Sequence, residues 1–200
     1  EESFGTGSSH VREKDGIWAV LCWLSILTYH NADTPNGQLV GVGQIVLQHW
    51  RRFGRNFYTR YDYEGVDSAA AADVVDRLRA MGESFSEAGF SASNPQPLVD
   101  GFALATLDEF SYTDPVDGSV ATNQGIRLLF VDGSRIIVRL SGTGSEGATV
   151  RIYIERYQPP GSDAALLASA TDALAPLVSL ALKITMVREL TGRDEPTVIT

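Results

Sequence analysis

The segment RLSGTGSEGATVR, residues 139–151, sets an arginine on each side of a run of glycines and hydroxyl side chains. Its glycines fit the spacing G-x-G-x-x-G of a dinucleotide site. That fingerprint needs a helix directly after the glycines, because the pyrophosphate binds at the helix N-terminus. The residues that follow instead alternate apolar β-branched and polar side chains, which indicates a strand. We therefore reject a dinucleotide site, and the lack of Gly-Lys-Ser/Thr excludes a Walker loop.

Two interpretations of this segment remain: a binding site for one phosphate group, or a flexible hairpin loop with surface arginines. Side chains alternate along a strand, so Arg139 shares a face with Ser141, and Arg151 shares a face with Thr149. Both guanidiniums can then point toward the same hydroxyls and glycine amides. Paired planar guanidiniums fit a phosphate dianion better than a carboxylate. Composition alone leaves both interpretations open.

Bulk composition limits the classes of partner. The net charge of −9 over 200 residues argues against general binding to nucleic acid or to an anionic membrane. The single Cys22 excludes a disulfide within the chain and favours a reducing compartment, hence the cytoplasm. The apolar run Ile17–Leu27 is too short to span a bilayer and lacks a cleavage-site pattern. We therefore predict no nucleic-acid binding and no membrane insertion.

The first part of the chain, residues 1–55, predicts a polar loop followed by two helices. Asp15 is placed to cap a helix over 17–29 whose residues are apolar almost all round, so we expect it to be buried on most sides. A second helix is predicted over 39–50 and ends before Gly54.

The second part, residues 56–200, predicts an α+β layer with an antiparallel sheet covered by helices on one side. In its first strand Arg60 and Asp62 share one face, and we interpret Asp62 as a strand-end residue. Asp132-Gly133 has hairpin-turn chemistry. The remaining predicted elements are a helix over 68–82, strands over 102–107, 126–131, 135–141 and 148–157, and a long helix ending near Leu190 before Gly192.

Six segments distributed from the first residue to the last resemble, in the same order, the eukaryotic α-D-phosphoglucomutases, including the parafusins, of the phosphohexomutase superfamily. These segments are EESFGTGSSHVREKDG, RNFYTRYDYE, SYTDPVDGS, NQGIRLLFVDGSRI, RLSGTGSEGATVRIYIE and PTVIT.

The resemblance implies a Mg²⁺-dependent isomerase of glucose metabolism that interconverts glucose 1-phosphate and glucose 6-phosphate. The family works through a phosphoserine enzyme and a glucose 1,6-bisphosphate intermediate. Four domains surround its cleft, so residues 1–55 correspond to the end of the third domain and residues 56–200 to the fourth, TATA-binding-protein-like domain. The nucleophilic serine motif and the metal loop of the family do not occur in these 200 residues. The chain alone is therefore expected to be inactive, with its Mg²⁺ ligands and its partner domains upstream.

Site residues are carried over only where the motifs match. The family's sugar-specificity loop implies binding of the sugar by Glu1, Ser3, Gly5 and Arg12, with Lys14 close to the reacting phosphate as the catalytic position. Its phosphate loop implies binding of the phosphate by Arg139, Ser141, Gly142, Thr143 and Arg151. Two departures are Ser9, where an aspartate is expected, and Glu146, where a small residue is usual and a carboxylate could repel phosphate.

Other functions remain open at this stage. One is a noncatalytic, parafusin-like protein that acts in regulated secretion, and another is a related mutase for mannose or N-acetylglucosamine phosphates. The serine motif and the metal loop separate the first of these from the enzyme, and both lie outside the 200 residues.

Overall fold

The structure is a computed structural model that describes residues 6–11, 13–35, 37–98, 101–144 and 147–200, without the side chains of residues 143 and 144. The chain divides into two compact units, Glu1–Gly54 and Arg55–Thr200, which we call unit 1 and unit 2. Each is described by itself.

Unit 1 contains two helices, α1 (Gly16–Asn31) and α2 (Val42–Phe53). The Asp15 carboxylate accepts a hydrogen bond from the Trp18 amide at 2.9 Å, so the predicted N-cap of α1 is confirmed. The prediction that α1 is buried on most sides is wrong for this chain, because none of its residues is buried. Apolar residues lie on all sides of this helix, and the other described residues leave much of that apolar surface exposed.

Unit 2 is an α+β fold, as predicted. Its strands are β1 (Arg55–Val66), β2 (Gln96–Pro97), β3 (Ala103–Glu109), β4 (Tyr112–Thr113), β5 (Val120–Ala121), β6 (Ile126–Phe130), β7 (Arg135–Gly144), β8 (Gly147–Gln158) and β9 (Val198–Ile199). Its helices are α3 (Ser68–Glu87), α4 (Asp163–Leu166), α5 (Ala170–Thr185) and α6 (Val187–Thr191). Over the described residues, seven strands form one antiparallel sheet in the order β2-β3-β6-β7-β8-β1-β9, while β4 and β5 pair separately.

The core of unit 2 lies between one face of this sheet and the helices α3, α5 and α6. Alternate residues of the central strands are buried there, as strand periodicity predicts. Members of this core include Leu128, Ile136, Val138, Val150, Ile152, Ile154, Val74, Leu78, Leu177 and Leu180. In the part of unit 2 that the structure describes, the other face of the sheet carries no helix.

Local sequence chemistry accounts for several element ends. Asp67 caps α3 by accepting from the amides of Ala69 and Ala70 at 3.0 and 3.1 Å. The Asp132 carboxylate accepts from the Ser134 amide at 2.9 Å, which shapes the turn between β6 and β7. The turn at Asp132 confirms the hairpin predicted there.

Two sequence predictions about unit 2 differ from the structure. The long C-terminal helix is broken at Met186, whose φ of 50° is left-handed, so α5 ends and α6 begins there. The segment expected to be a glycine loop is mostly strand, since β7 runs to Gly144 and β8 starts at Gly147. The two strands pair without interruption up to Ser141 and Thr149. After a shift in register they pair again at Gly144 and Gly147.

None of the described helices is both long enough and apolar enough to cross a membrane.

Candidate functional site

The helix-free face of the unit 2 sheet is rich in arginine. Antiparallel pairing sets opposing residues on the same face, and the register places five guanidiniums on this one. They belong to Arg60, Arg127, Arg135, Arg139 and Arg151. Since the whole chain is acidic, this concentration of positive charge is local.

Two of these arginines are neutralised by carboxylates far from the hairpin between β7 and β8. Arg127 binds Asp108 through both ends of its fork, with Nε–Oδ1 and Nη2–Oδ2 distances of 2.7 and 2.6 Å. This pairing raises the pKa of Arg127. Arg135 pairs with Glu155 through its Nε at 3.0 Å and through Nη2. These side chains act as internal ion pairs of the sheet face.

The other three arginines lie toward the hairpin, and two of them, Arg60 and Arg151, contact the carboxylate of Asp62. Arg139 of β7 is directly opposite Arg151 of β8, which in turn is opposite Asp62 of β1. Arg60 lies two residues before Asp62 on the same face. Three guanidiniums and one carboxylate give this group, which we call the arginine row, a formal charge of 3 − 1 = +2. Like charges directly opposite one another on a sheet are unfavourable. The arginine row therefore suits a bound anion.

Asp62 is the most deeply buried carboxylate among the described residues, with 2% of its surface exposed. Its Oδ1 accepts a hydrogen bond from Arg60 Nε at 2.9 Å, and its Oδ2 lies 3.6 Å from Arg151 Nε. A buried carboxylate is costly unless charged donors surround it. The sequence interpretation as a strand end missed this role. The period-two spacing of Arg60 and Asp62 was the signal that could have revealed it.

The hairpin above the arginine row carries the predicted hydroxyls. Ser141 pairs with Thr149 across the two strands, next to the pair formed by Arg139 and Arg151. The structure thus brings together Arg139, Ser141 and Arg151, as the sequence predicts. Gly142 is exposed, with φ of 63°. Thr143 belongs to β7, but its side chain, like all of Glu146, lies outside what the structure describes.

Glycines allow close approach at two points around this site. At Gly147, with φ of 94°, an added Cβ would lie 2.8 Å from the Val66 carbonyl oxygen, so only glycine lets the hairpin rest on β1. At Gly125, with φ of 142°, a Cβ would lie 2.7 Å from Arg139 Cγ. Gly125 therefore leaves the space that the stem of Arg139 occupies, a role that the sequence alone did not indicate.

The sugar-loop residues belong to unit 1. Glu1, Ser3, Gly5 and Arg12 lie outside the described residues, whereas Lys14 is exposed just before α1. The described part of this loop is closed by a hydrogen bond from the Asp15 amide to the Thr6 carbonyl at 2.8 Å.

A series of hydrogen bonds between side chains crosses the same loop. Ser8 Oγ lies 2.5 Å from His10 Nδ1, and His10 Nε2 lies 2.9 Å from Asp15 Oδ2. The Trp18 amide, followed by His10, lowers the pKa of Asp15. These contacts hold His10 against the N-terminal end of α1.

A groove of about 520 Å³ lies elsewhere in unit 2, between α3 and β3. The arginine in its lining, Arg79, binds Glu109 at 2.7 Å and Asp76 at 2.7 Å, and Glu83 and Glu87 add negative charge to the same lining. The groove therefore does not favour an anionic sugar phosphate. The described residues also contain no group of three side chains that could hold a metal ion. They do not fit a Mg²⁺ centre, so no step through Mg²⁺ is derived from this chain.

A family model described as the C-terminal domain of phosphoglucomutase-1 matches residues 55–197. The whole chain is 58% identical to a cytoplasmic phosphoglucomutase of Bromus inermis and 53% identical to a chloroplastic phosphoglucomutase of Arabidopsis thaliana. It covers 34% and 31% of these proteins, so it spans about a third of the length of its curated relatives.

Among solved structures, the chain is similar to the open form of the exocytosis-sensitive phosphoprotein pp63/parafusin, a phosphoglucomutase from Paramecium. The TM-score is 0.81 and the sequence identity 49%, over all of this chain and 32% of that one.

Proposed function

Because the chain belongs to the family of phosphoglucomutase-1 C-terminal domains, we propose that it forms the C-terminal third of a phosphoglucomutase. The complete enzyme interconverts glucose 1-phosphate and glucose 6-phosphate through a phosphoserine and glucose 1,6-bisphosphate. Unit 1 is then the end of the third domain, and unit 2 is the fourth, phosphate-binding domain. The arginine row beside the β7–β8 hairpin carries this proposal.

The role proposed for unit 2 is to hold the phosphate that is not transferred. A phosphate monoester carries a charge of about −1.5 to −2 at neutral pH, which matches the +2 of the arginine row. Arg139 and Arg151 supply forked donors, and Ser141, Gly142 and Thr143 supply hydroxyl and amide donors. These phosphate-binding residues do no covalent chemistry. Their binding energy orients the sugar so that the opposite end faces the reacting group.

The role proposed for unit 1 is to recognise the sugar. Glu1, Ser3, Gly5 and Arg12 contact the hexose, while Lys14 lies near the reacting phosphate. Phosphoryl transfer depends on positioning and on charge stabilisation, which a lysine ammonium can supply. Mg²⁺, when bound to its upstream ligands, neutralises charge that develops on the transferring phosphate.

A hinge between the units accompanies this proposal. Gly54 has φ of 83°, a conformation that glycine adopts without strain, and it joins the two units. Movement at residues 53–56 would let unit 2 close over the substrate and exclude water, which would otherwise accept the phosphoryl group.

The proposed cellular location is the cytoplasm. Cytoplasmic phosphoglucomutases from several plants are among the relatives, although chloroplastic ones also occur. Fractionation of cells with an antibody against this chain tests the location, and recovery of the protein in an organelle fraction would contradict it.

The phosphate-binding role is tested by adding glucose 1,6-bisphosphate to the ¹⁵N-labelled chain and recording amide spectra. We expect the largest shifts in residues 139–151, and we expect Arg151→Ala to abolish them. Glu155→Gln is the matched control, because it alters a charge on the same sheet face outside the arginine row. Shifts confined to other strands, or unchanged shifts in Arg151→Ala, would contradict the role.

Catalysis by the 200-residue chain itself is expected to be undetectable. A coupled assay that forms glucose 6-phosphate from glucose 1-phosphate should show no activity above background for the purified chain. Activity above background would show that the upstream domains are dispensable.

A noncatalytic role in regulated secretion is the second candidate, favoured by the similarity to the exocytosis-sensitive parafusin of Paramecium. That protein is itself described as a phosphoglucomutase, so the similarity is compatible with both functions. The upstream sequence decides between them. A serine motif and a metal loop there support the enzyme, and their loss supports the binding protein.

A further inference from the structure

We propose that Asp62 is a positioning residue that sets the guanidinium of Arg151 for phosphate. This inference rests on the proposed function, because it gives Asp62 a task in the same site. Asp62 reaches no substrate atom in this scheme. It acts through Arg151.

The contacts of the Asp62 carboxylate divide between two arginines. Oδ1 accepts from Arg60 at 2.9 Å, and Oδ2 faces Arg151 at 3.6 Å. The exposed fraction of the side chain is 3% for Asp62, 14% for Arg60 and 23% for Arg151. The side chain of Arg151 is thus partly exposed beside a buried carboxylate.

The backbone around Asp62 is fixed on both sides. Its own strand pairs with β8 at Arg151 and with β9 at Val198, and its carbonyl accepts from the Thr197 amide at 2.7 Å. A register shift in β1 follows between Tyr63 and Val66, and Gly147 packs against Val66 there. The carboxylate is therefore held at the base of the hairpin that carries the phosphate-binding groups.

The contact with Arg151 uses Nε, the guanidinium nitrogen nearest the strand. At 3.6 Å this contact is an ion pair and is longer than a hydrogen bond, so it acts on Arg151 through charge. A purely structural ion pair is already supplied by Arg60 through the shorter hydrogen bond. The second, longer contact places negative charge beside Arg151 and reduces its repulsion from Arg139, the residue directly opposite.

The test is a double-mutant cycle in the full-length protein, with glucose 1-phosphate as the substrate. We expect Asp62→Asn to raise KM about ten-fold, within the range of coupling between contacting residues, and to change kcat by less than about three-fold. In an Arg151→Ala background the same change should alter KM by less than about two-fold. Glu155→Gln, the matched control on this sheet face, should leave KM unchanged.

The outcomes separate the inference from the proposed function. If Arg151→Ala leaves KM unchanged, the phosphate-binding role itself is wrong. If Arg151→Ala raises KM but Asp62→Asn has the same effect in both backgrounds, or no effect, the positioning role is wrong and the phosphate-binding role stands. A loss in kcat alone would also contradict the proposal that Asp62 positions Arg151 for phosphate binding.

A measurement without substitution of Asp62 covers the case in which Asp62→Asn does not fold. The Nε–H resonance of Arg151 in the labelled chain is assigned by its loss in Arg151→Lys. We expect its proton to exchange with solvent at least about ten-fold more slowly than that of an exposed arginine, because Nε is buried and lies 3.6 Å from the Asp62 carboxylate. It should also shift when inorganic phosphate is added. Exchange as fast as in an exposed arginine would overturn the inference.

Discussion

Unit 2 and unit 1 differ in how much of their apolar surface is buried. Unit 2 buries a continuous apolar core between its sheet and helices, with Val138 and Leu177 fully inaccessible. In unit 1, α1 is equally apolar, yet 57% of the surface of Leu21 and 77% of that of Ile17 remain exposed. Unit 2 thus has a core of its own, whereas unit 1 exposes apolar surface that the described residues leave uncovered. Exposed apolar surface of this kind is typical of protein contact sites.

The largest expected effect concerns the cores. Leu177→Ala should lower the free energy of unfolding of unit 2 by about 2–5 kcal/mol, because it removes a fully buried side chain. Urea denaturation followed by far-ultraviolet circular dichroism measures this change. Leu21→Ala is the same substitution on exposed α1 and should shift the transition by less than about 0.5 kcal/mol. Equal losses would remove the contrast between the units.

The next effect concerns the arginine row. In the full-length protein, Arg151→Ala should raise the KM for glucose 1-phosphate about 100-fold, since hydrogen bonds between charged groups contribute about 1.5–3 kcal/mol each. Steady-state kinetics measures it, with the Glu155→Gln variant as the control of the same sheet face. Unchanged kinetics would instead support the alternative interpretation of this segment as a hairpin loop with surface arginines.

A smaller effect is expected at Gly125. Its replacement by alanine would place a Cβ 2.7 Å from Arg139 Cγ and displace that stem, so phosphate affinity should fall about ten-fold, or about 1.4 kcal/mol. Calorimetric titration with glucose 1,6-bisphosphate measures the change. Gly118→Ala is the matched control, because φ there is 71° with nothing within 4 Å of an added Cβ. Equal effects of both variants would show that backbone strain, and not Arg139, is responsible.

The smallest effect is a pH dependence in unit 1. The pKa of Asp15 is lowered from 3.8, chiefly by the Trp18 amide and then by His10. A carboxyl whose pKa is lower in the folded state stabilises at pH above 3.8, and this contribution is lost as pH falls through the folded pKa. The Trp18 amide resonance should therefore titrate below pH 3.8. Asp15→Asn should remove that titration, and a midpoint above 3.8 would contradict the cap.

Much of the fold follows from local sequence signals. Alternation along residues 148–157 predicts β8, and the caps Asp15 and Asp67 fix two helix starts. The break at Met186 could not be predicted, because a left-handed methionine carries no sequence signal of its own. The burial of α1 was also mispredicted, since apolar periodicity reports what a helix tends to bury and not which residues cover it.

The arrangement of the candidate site follows from the sequence less completely than the fold does. Spacing within one hairpin sufficed for Arg139, Ser141 and Arg151, because strand periodicity relates near neighbours. Asp62 and Gly125 contact these arginines from other strands, about 90 and 14 positions away along the chain. Contacts between strands depend on sheet order, and the sequence alone did not supply that order.

The central claim is that the arginine row binds the phosphate that is not transferred. The most direct test is a crystal structure of the full-length protein with glucose 1,6-bisphosphate. The account predicts one phosphate group within hydrogen-bond distance of Arg139 and Arg151, with the Ser141 hydroxyl as a further donor. A fully occupied bisphosphate whose two phosphate groups both bind elsewhere, with the β7–β8 hairpin turned away from the sugar, would contradict it.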